Sequence, residues 1–295
     1  MAAPTVPSSS PSPRPAPSAQ RRFFPDYSLG LLWNLALREL RSKYKRSLLG
    51  WGWSLLNPLA QLGIYSVVFG LLFHTVPPVG DPSGIHFYGF YLVAGLLPWA
   101  FFTNNIMGAI QSLTANGNLI RKVYFPRSIL PFATSLSWMV SFAIELLALT
   151  IVLLVFQTMN LLLLPVVVVA AVVLMGFGLG LGLAVSAFNV YFRDVEYLTG
   201  ILLQIWFFLT PIVYTPAQMV SPTTGKPYEV FGVSVLTLEK ANPMFHFVGL
   251  FRTLFYDQHL PGLSEWGWVL GFAAGTLLVG SAIFRKVEPR MAEEL

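Results

Sequence analysis

One glutamate, Glu145, lies in an apolar segment where a charged carboxylate is energetically unfavourable. Glu145 is the only ionisable residue in the middle of the long apolar stretch 128–156. A charged carboxylate at the centre of a membrane helix costs roughly 3 kcal/mol on insertion scales, so it marks a cavity, a pathway or a proton site, or else a protonated or paired structural residue. No opposite charge lies within one helical turn, and a single acid without a base, metal or second acid is not an active site. We predict a structural or gating role and expect Glu145→Gln to preserve most activity.

The other reactive side chains are not spaced for metal or nucleotide binding. The four histidines stand alone, without a second histidine or a carboxylate at ligand spacing, and cysteine is absent. The stretch TTGKP (223–227) partly matches a phosphate-binding loop, but Val220 stands where such a loop needs glycine, and proline follows the lysine. We therefore expect no catalytic residue, no metal and no cofactor in this chain.

The composition predicts an all-α integral membrane protein. Hydrophobic residues make up 55% of the 295, charged residues only 11%, and the mean hydropathy is +0.65, whereas a soluble domain carries about 25% charged residues. Residues 1–27 differ, because they are rich in proline, serine and alanine. Such a segment buries too little apolar surface to fold, so we expect a disordered tail rather than a cleaved leader.

The apolar segments predict six membrane-spanning helices, since a bilayer core needs about 20 apolar residues per helix. They are 55–73, 91–110, 128–156, 161–188, 198–213 and 268–284. The segment 243–256 is apolar but too short to cross, and we predict a re-entrant helix on the outer face, capped by Asn242. With six spans, all but Lys226, Lys240 and Arg252 of the 18 lysines and arginines lie on the side of both termini, which is then cytoplasmic.

Residues 28–50 predict an amphipathic helix at the membrane surface. Leucines and Trp33 share one side, and Arg38, Arg41 and Lys45 lie around the other. Such a helix rests among the headgroups with its basic side toward anionic lipid, which argues against nucleic acid as a partner. A mere topology anchor is the alternative interpretation.

Six segments, taken together, resemble a known family. They are LLGWGWSLLNPLAQLGIYSVVFG (48–70), GLLPWAFFTNNI (95–106), NGNLIRKVYFPRSILP (116–131), FNVYFRDVEYL (188–198), WFFLTPIVY (206–214) and NPMFHFVGLFR (242–252). In this order and spacing they resemble the transmembrane subunits of ABC polysaccharide exporters, the family that handles O-antigen, teichoic acid and related lipid-linked glycans. The resemblance covers about residues 28–286.

The resemblance implies an assembly and several site residues. Two copies of the chain pair with two separate ATPase subunits, which bind ATP and Mg²⁺, in the bacterial plasma (inner) membrane. The segment 115–126 would insert into a cleft of the ATPase through Asn118, Leu119, Ile120, Arg121, Lys122, Tyr124 and Phe125. Aromatic residues of the first and fifth spans would line the substrate channel: Tyr65, Phe69, Trp206, Phe207, Phe208 and Tyr214. Arg252 would reach a phosphate or sugar hydroxyl at the channel exit, or merely snorkel at the interface.

The predicted function is therefore export of a lipid-linked polysaccharide by a homodimeric, six-helix domain over 51–290. The cargo is an O-antigen, a teichoic acid or a galactan precursor. Two alternatives stay open: an exporter subunit for a small molecule or lipid, and an ion-coupled carrier. A carrier normally has several intramembrane charges, whereas Glu145 is alone here.

Overall fold

The structure, a computed structural model, describes residues 27–44, 52–72, 78–123, 125–156, 159–215, 219–221, 226–230 and 232–291. Tyr27, the last residue of the predicted tail (1–27), is the first residue of the first helix, whereas residues 1–26 lie outside the described residues. So do the last residues of the predicted surface helix, which include Lys45, and one residue of the predicted coupling segment, Tyr124.

The described residues are mainly α-helical, as the composition predicts. The helices are α1 (Tyr27–Tyr44), α2 (Gly52–Tyr65), α3 (Tyr88–Ala115), α4 (Gly117–Lys122), α5 (Ile129–Val155), α6 (Leu164–Tyr191), α7 (Asp194–Phe208), α8 (Val235–Ala241), α9 (Pro243–Arg252) and α10 (Leu263–Val287). Wider π-helical turns extend α2 over Ser66–Leu72 and α9 over Thr253–Asp257, and 3₁₀ turns precede α6 over Leu161–Leu163 and follow α10 over Glu288–Arg290. A two-residue antiparallel hairpin, β1 (Glu229–Val230) and β2 (Val233–Ser234), precedes α8.

Four helices of the described residues are long and apolar enough to cross a membrane: Tyr88–Ala115, Ile129–Val155, Leu161–Tyr191 and Leu263–Arg290. They coincide with the predicted second, third, fourth and sixth spans. The first predicted span corresponds to α2 and its π-helical extension, a shorter apolar helix. The fifth corresponds to α7, which stops at Phe208 rather than at residue 213. These two spans stay predictions.

The central helix is α3, which contacts α2, α5, α6, α7 and α9. Its Asn105 is fully buried and joins two neighbours: the amide donates to the Met175 carbonyl at 3.1 Å, and the Ser135 hydroxyl donates to the amide oxygen at 2.5 Å. Because lipid offers no hydrogen-bond partners, such polar contacts stabilise the contact between membrane helices.

Close packing of α6 depends on glycines at helical spacing, a signal present in MGFGLGLGL (175–183). A side chain on Gly180 would collide with the backbone of α10 at Thr276, and one on Gly280 would collide with the Gly180 carbonyl oxygen. On the adjacent face of α6, a side chain on Gly182 would approach Ala109 of α3 at 2.7 Å. Glycines on two faces of α6 thus let its backbone approach those of α3 and α10 closely.

The helix α1 packs along α5 through Leu35, Ala36 and Leu40. The sequence pattern groups Trp33 with the leucines on one apolar side; of these, Leu40 is buried, whereas Trp33 is 58% exposed. The helix therefore has two apolar surfaces, one against the bundle and one facing outward. An outward tryptophan agrees with contact to lipid, so the surface-helix interpretation stays a prediction with this support.

The predicted re-entrant segment is a short helix wedged into the bundle. Asn242 caps α9, since its side-chain oxygen accepts from the Met244 amide at 3.0 Å, as the sequence predicts. Phe247 stacks on Phe177 of α6, and Tyr256 lies edge-on to Tyr91 of α3. At about 1.5 Å per residue, α9 and its extension span roughly 22 Å, less than a hydrocarbon core of about 30 Å.

We expect Gly280→Ala to destabilise the protein, because the added methyl group meets the Gly180 carbonyl oxygen and must separate α6 from α10. Overpacking of this kind typically costs about 1–3 kcal/mol. Gly275→Ala is the matched control, because its position on α10 has no atom within 4 Å. Thermal unfolding of the purified protein in detergent checks this. Equal melting temperatures for the two variants would contradict the close contact.

Candidate functional site

An open groove lies along the seam between α3 and α7, with a volume of about 360 Å³. Trp99, Thr103 and Met107 line it from α3 at four-residue spacing, and α7 contributes the opposite wall. The α7 residues are Gly200, Leu203, Gln204, Phe207 and Phe208. Aromatic rings can stack on the C–H faces of sugar rings, while side-chain hydroxyl and amide groups can bond to sugar hydroxyls. The groove therefore has the chemistry of a carbohydrate contact surface.

The Thr103 hydroxyl is the unusual polar group of this groove. Thr199 and Thr210, on and just after α7, each donate to a carbonyl four residues earlier, at 2.6 and 2.9 Å. The Thr103 hydroxyl is buried and has no hydrogen-bond partner among the described residues. Leaving such a group unpaired is unfavourable, so a partner that reached the Thr103 hydroxyl would stabilise it.

The structure places the predicted channel residues of α7 in two different environments. Phe207 and Phe208 line the groove, and Phe208 is 65% exposed. Trp206 instead turns into the bundle, where its ring lies edge-on to Trp99 and Phe102 and its Nε1 donates to Asn242 at 2.8 Å. Trp206 therefore supports the wall of the groove from behind.

The other predicted channel aromatics form a separate row. Tyr65 lies 6.1 Å from Phe69 between ring centroids, and Phe69 lies 5.1 Å from Tyr88 of α3. Tyr214 donates to the carbonyl of Phe208 at 3.0 Å. The structure brings Tyr65 and Phe69 together but does not bring them to the α3–α7 groove within one chain.

Backbone carbonyls at and after the end of α7 have no partner within the helix, and side chains donate hydrogen bonds to them instead. Arg252 donates to the carbonyls of Pro211 and Ile212 at 2.6 and 2.7 Å, and the Tyr88 hydroxyl donates to the carbonyl of Val213. Asn242 donates to the carbonyl of Leu209 at 3.1 Å. The irregular stretch 209–215 is thus fixed by α3, α9 and the cap of α9.

Arg252 is therefore a structural residue in this conformation. Its side chain is buried, its guanidinium lies 3.8 Å above the Tyr91 ring, and its Nε donates to the Tyr91 carbonyl at 3.3 Å. Because the guanidinium is already held by three carbonyls, contact with a sugar hydroxyl or a phosphate would require it to leave them. The predicted substrate contact of Arg252 stays a prediction, and the snorkelling alternative does not fit this burial.

The predicted coupling segment forms α4 and the turn after it. Arg121, Lys122 and Asn118 are exposed, Leu119 is partly buried, and Ile120 and Phe125 anchor the segment in the bundle. Arg38 of α1 donates to the side chain of Asn116 at 2.6 Å, just before α4. The segment thus presents two exposed basic side chains on a short, anchored helix that is tied to α1.

Arg38 and Arg41, predicted to lie on the basic side of an interface helix, are exposed, and their contact with lipid stays a prediction. Arg38 also pairs with Glu39 at 3.0 Å. Glu145 has no charged neighbour on its own helix, but α1 brings Lys43 close enough to interact with it electrostatically. Sequence spacing could not reveal this pair, because about 100 residues separate its members.

Sequence reasoning missed Trp99, Thr103, Gln204, Tyr88 and Lys43. The first two had a signal, since they recur at four-residue spacing on α3 beside an aromatic segment. Among the residues that the structure describes, no group of three histidine, aspartate or glutamate side chains could hold a metal ion.

Comparison with known proteins gives a consistent family. The model of the ABC-2 type transporter family matches residues 30–256. An O-antigen export system permease protein RfbA of Myxococcus xanthus is 29% identical over 90% of this chain and 95% of its own length, and one from Klebsiella pneumoniae is 28% identical over 91% and 98%. The polysialic acid transport protein KpsM of Escherichia coli is 23% identical over 87% and 93%.

We expect Arg252→Met to loosen the end of α7, because it leaves the carbonyls of Pro211 and Ile212 without donors inside the bundle. Each unpaired buried group costs about 1–3 kcal/mol. The melting temperature in detergent should fall, and a cysteine placed at Ile212 of this cysteine-free chain should become reactive to a maleimide.

Lys240→Met removes an exposed cation near the start of α9 and is the control. It should leave both measurements unchanged. An Arg252→Met variant as stable and as unreactive as the parent would show that the carbonyls do not depend on the guanidinium.

Proposed function

Because the chain belongs to the ABC-2 type transporter family, we propose that it is the membrane-spanning subunit of an ATP-driven exporter of lipid-linked polysaccharide. The observation that carries this proposal is the end-to-end similarity to relatives named as O-antigen export permeases. A relative named for polysialic acid transport matches over nearly the same length. Polysaccharide is what these names share, and O-antigen, teichoic acid and galactan precursors belong to that class.

The energy comes, in this proposal, from two separate ATPase subunits that bind ATP and Mg²⁺. The form of α4 supports this, because Arg121 and Lys122 project from a helix whose Ile120 is anchored in the bundle. A push on α4 therefore reaches α1 through Arg38 and Asn116. The same end of the bundle carries the basic last turn of α10, which agrees with a cytoplasmic location of both termini in the plasma membrane.

The transporter works as a homodimer, with the cargo path between the copies. Large apolar side chains are exposed on α2 and α7, the helices of the first and fifth predicted spans. On α7 they include Leu198, Ile201, Leu202, Ile205 and Phe208, and Leu209 follows directly after the helix. Contact with a second copy would cover part of this surface and would complete both short spans with neighbouring helices, while lipid would cover the rest.

The α3–α7 groove is a wall of that path. Phe207, Phe208 and Trp99 offer ring faces, and Thr103 and Gln204 offer hydrogen-bonding groups. Stacking on ring faces tolerates sliding, which a conduit for a long polymer requires. Tyr65 and Phe69 of a second copy would continue the same wall, since the fold of one chain leaves them apart from the groove.

The purified chain alone should hydrolyse no ATP, and hydrolysis should appear when it is purified with its ATPase partner. Depletion of the chain in its host cell should cause a lipid-linked, periodate-sensitive glycan to accumulate inside, and re-expression should clear it. Sustained ATP turnover by the chain alone would contradict the permease assignment. Accumulation of a lipid without sugar would favour a lipid exporter instead.

We expect replacement of Arg121 and Lys122 by glutamate to weaken binding of the ATPase partner, since it reverses both exposed charges of α4. Insertion into the membrane should be unaffected. Co-purification from detergent and partner-dependent ATP hydrolysis measure the effect. Lys240→Glu, a charge reversal on α8, is the control and should bind normally. Full co-purification of the α4 double variant would exclude α4 as the coupling element.

A further inference from the structure

One basic residue of α1 is turned into the bundle. Arg38 and Arg41 are exposed, whereas Lys43 lies on the side of α1 that packs on α5, and its ammonium is buried. The Lys43 Nζ has no hydrogen-bond partner among the described residues. A buried ammonium is unfavourable unless another group compensates its charge. The neighbouring groups that compensate the charge of Lys43 therefore indicate what the side chain does.

The nearest compensating group is an aromatic ring. The Lys43 Nζ lies 3.2 Å from the centroid of the Trp138 ring on α5, which is a cation–π contact. Trp138 also packs against α3, because a side chain on Gly108 would approach the indole Nε1 at 2.6 Å. Trp138 therefore contacts both α1, at Lys43, and α3, at Gly108.

The second compensating group is Glu145, seven residues after Trp138 and so on the same face of α5, roughly 10 Å further along the helix. Side chains on a helix lean toward its N-terminus, which directs the carboxylate back toward Trp138. Burial lowers the pKa of Lys43 to about 7, and the charges of Glu145 and Glu39 oppose that shift. Glu145 thus helps to keep the ammonium charged.

We propose that Lys43 and Glu145 are a positioning pair that sets where α1 lies along α5. In this conformation the ammonium rests on Trp138, and the carboxylate two turns further attracts it along the same face. A shift of α1 along α5 by less than that distance brings the ammonium to the carboxylate. The Lys43 ammonium can thus be stabilised at two positions along α5, at the Trp138 ring or at the Glu145 carboxylate.

The pair gives Glu145 a role in coupling ATP hydrolysis to movement of the membrane helices, and this role rests on the proposed function. Movement of the ATPase subunits reaches α1 through α4 and Asn116, and the pair passes it to the middle of α5. The sequence expectation that Glu145→Gln preserves most activity assumed that Glu145 has no partner. With Lys43 present, the same variant leaves a buried ammonium facing a neutral amide.

The test uses a mutant cycle in the full chain, with and without its ATPase partner. Lys43→Met and Glu145→Gln are the single changes, their combination is the neutral double variant, and Lys43→Glu with Glu145→Lys is the swapped pair. Lys240→Met is the control, since Lys240 is an exposed cation on α8. The readouts are the melting temperature of the chain alone and the glycan exported per ATP hydrolysed by the complex.

Each single variant should melt at a lower temperature and should export roughly three- to tenfold less glycan per ATP, a range typical of coupled contacts. The neutral double variant should recover the melting temperature, because neither charge is left unpaired, but it should not recover export. The swapped pair should recover export in part. Lys240→Met should change neither.

Two results would contradict the proposed role of Lys43 and Glu145. If the single effects add in the double variant, the residues do not interact. If the neutral double variant recovers export as well as melting, the pair is only structural. The melting temperature is measured on the chain alone, so it tests the pair independently of the proposed function. If the glycan export proposal is wrong, the melting temperatures still show the coupling between Lys43 and Glu145, but the unmodified complex exports no glycan.

Discussion

A helix that ends inside a membrane domain leaves backbone carbonyls that lipid cannot satisfy, and the end of α7 shows how this chain meets that constraint. Each carbonyl from Phe208 to Val213 accepts a hydrogen bond. The donors are Tyr214 for Phe208, Asn242 for Leu209, the Ile212 amide for Thr210, Arg252 for Pro211 and Ile212, and Tyr88 for Val213. Irregular backbone is tolerated at membrane depth only where protein or water satisfies it.

This requirement determines the placement of α9. Arg252 reaches the carbonyls only if α9 lies directly against α3, and Gly95 permits that approach, since a side chain there would meet the guanidinium at 3.0 Å. The cap of α9 performs a second task, because Asn242 bonds both the start of α9 and the end of α7. The α3–α7 groove follows from the same anchoring, because Trp206, fixed by Asn242, holds Phe207 and Phe208 outward.

The opposite end of the bundle, which contains α4 and α1, exposes surfaces that a partner can bind and displace. Here α4 is short and exposed, α1 has one surface on α5 and another facing outward, and a smaller apolar cluster joins α1, α4, α5, α6 and α10. Arg127 donates to the Glu288 carbonyl, so the turn before α5 is tied to the end of α10. A displacement of α4 or α1 therefore acts on several helices at once.

The sequence by itself determined the membrane class, four of the long helices, the cap of α9 and the family resemblance. These depend on local length, composition and order, which are properties of neighbouring residues. It misplaced the end of α7, because the apolar run continues to Val213 while the helix does not. It did not indicate which side of α1 packs on α5, since a helical pattern shows which residues share a face but not which neighbour that face meets.

Only the tertiary structure decided which side chains work together. Lys43 and Glu145, Arg252 and the α7 carbonyls, and Thr103 and Phe207 each lie on different helices, far apart in sequence. Helices in a membrane are uniformly apolar, so hydrophobicity does not specify their rotation or their partners. Glycine contacts and buried polar groups specify both, and these act only once the helices are in place.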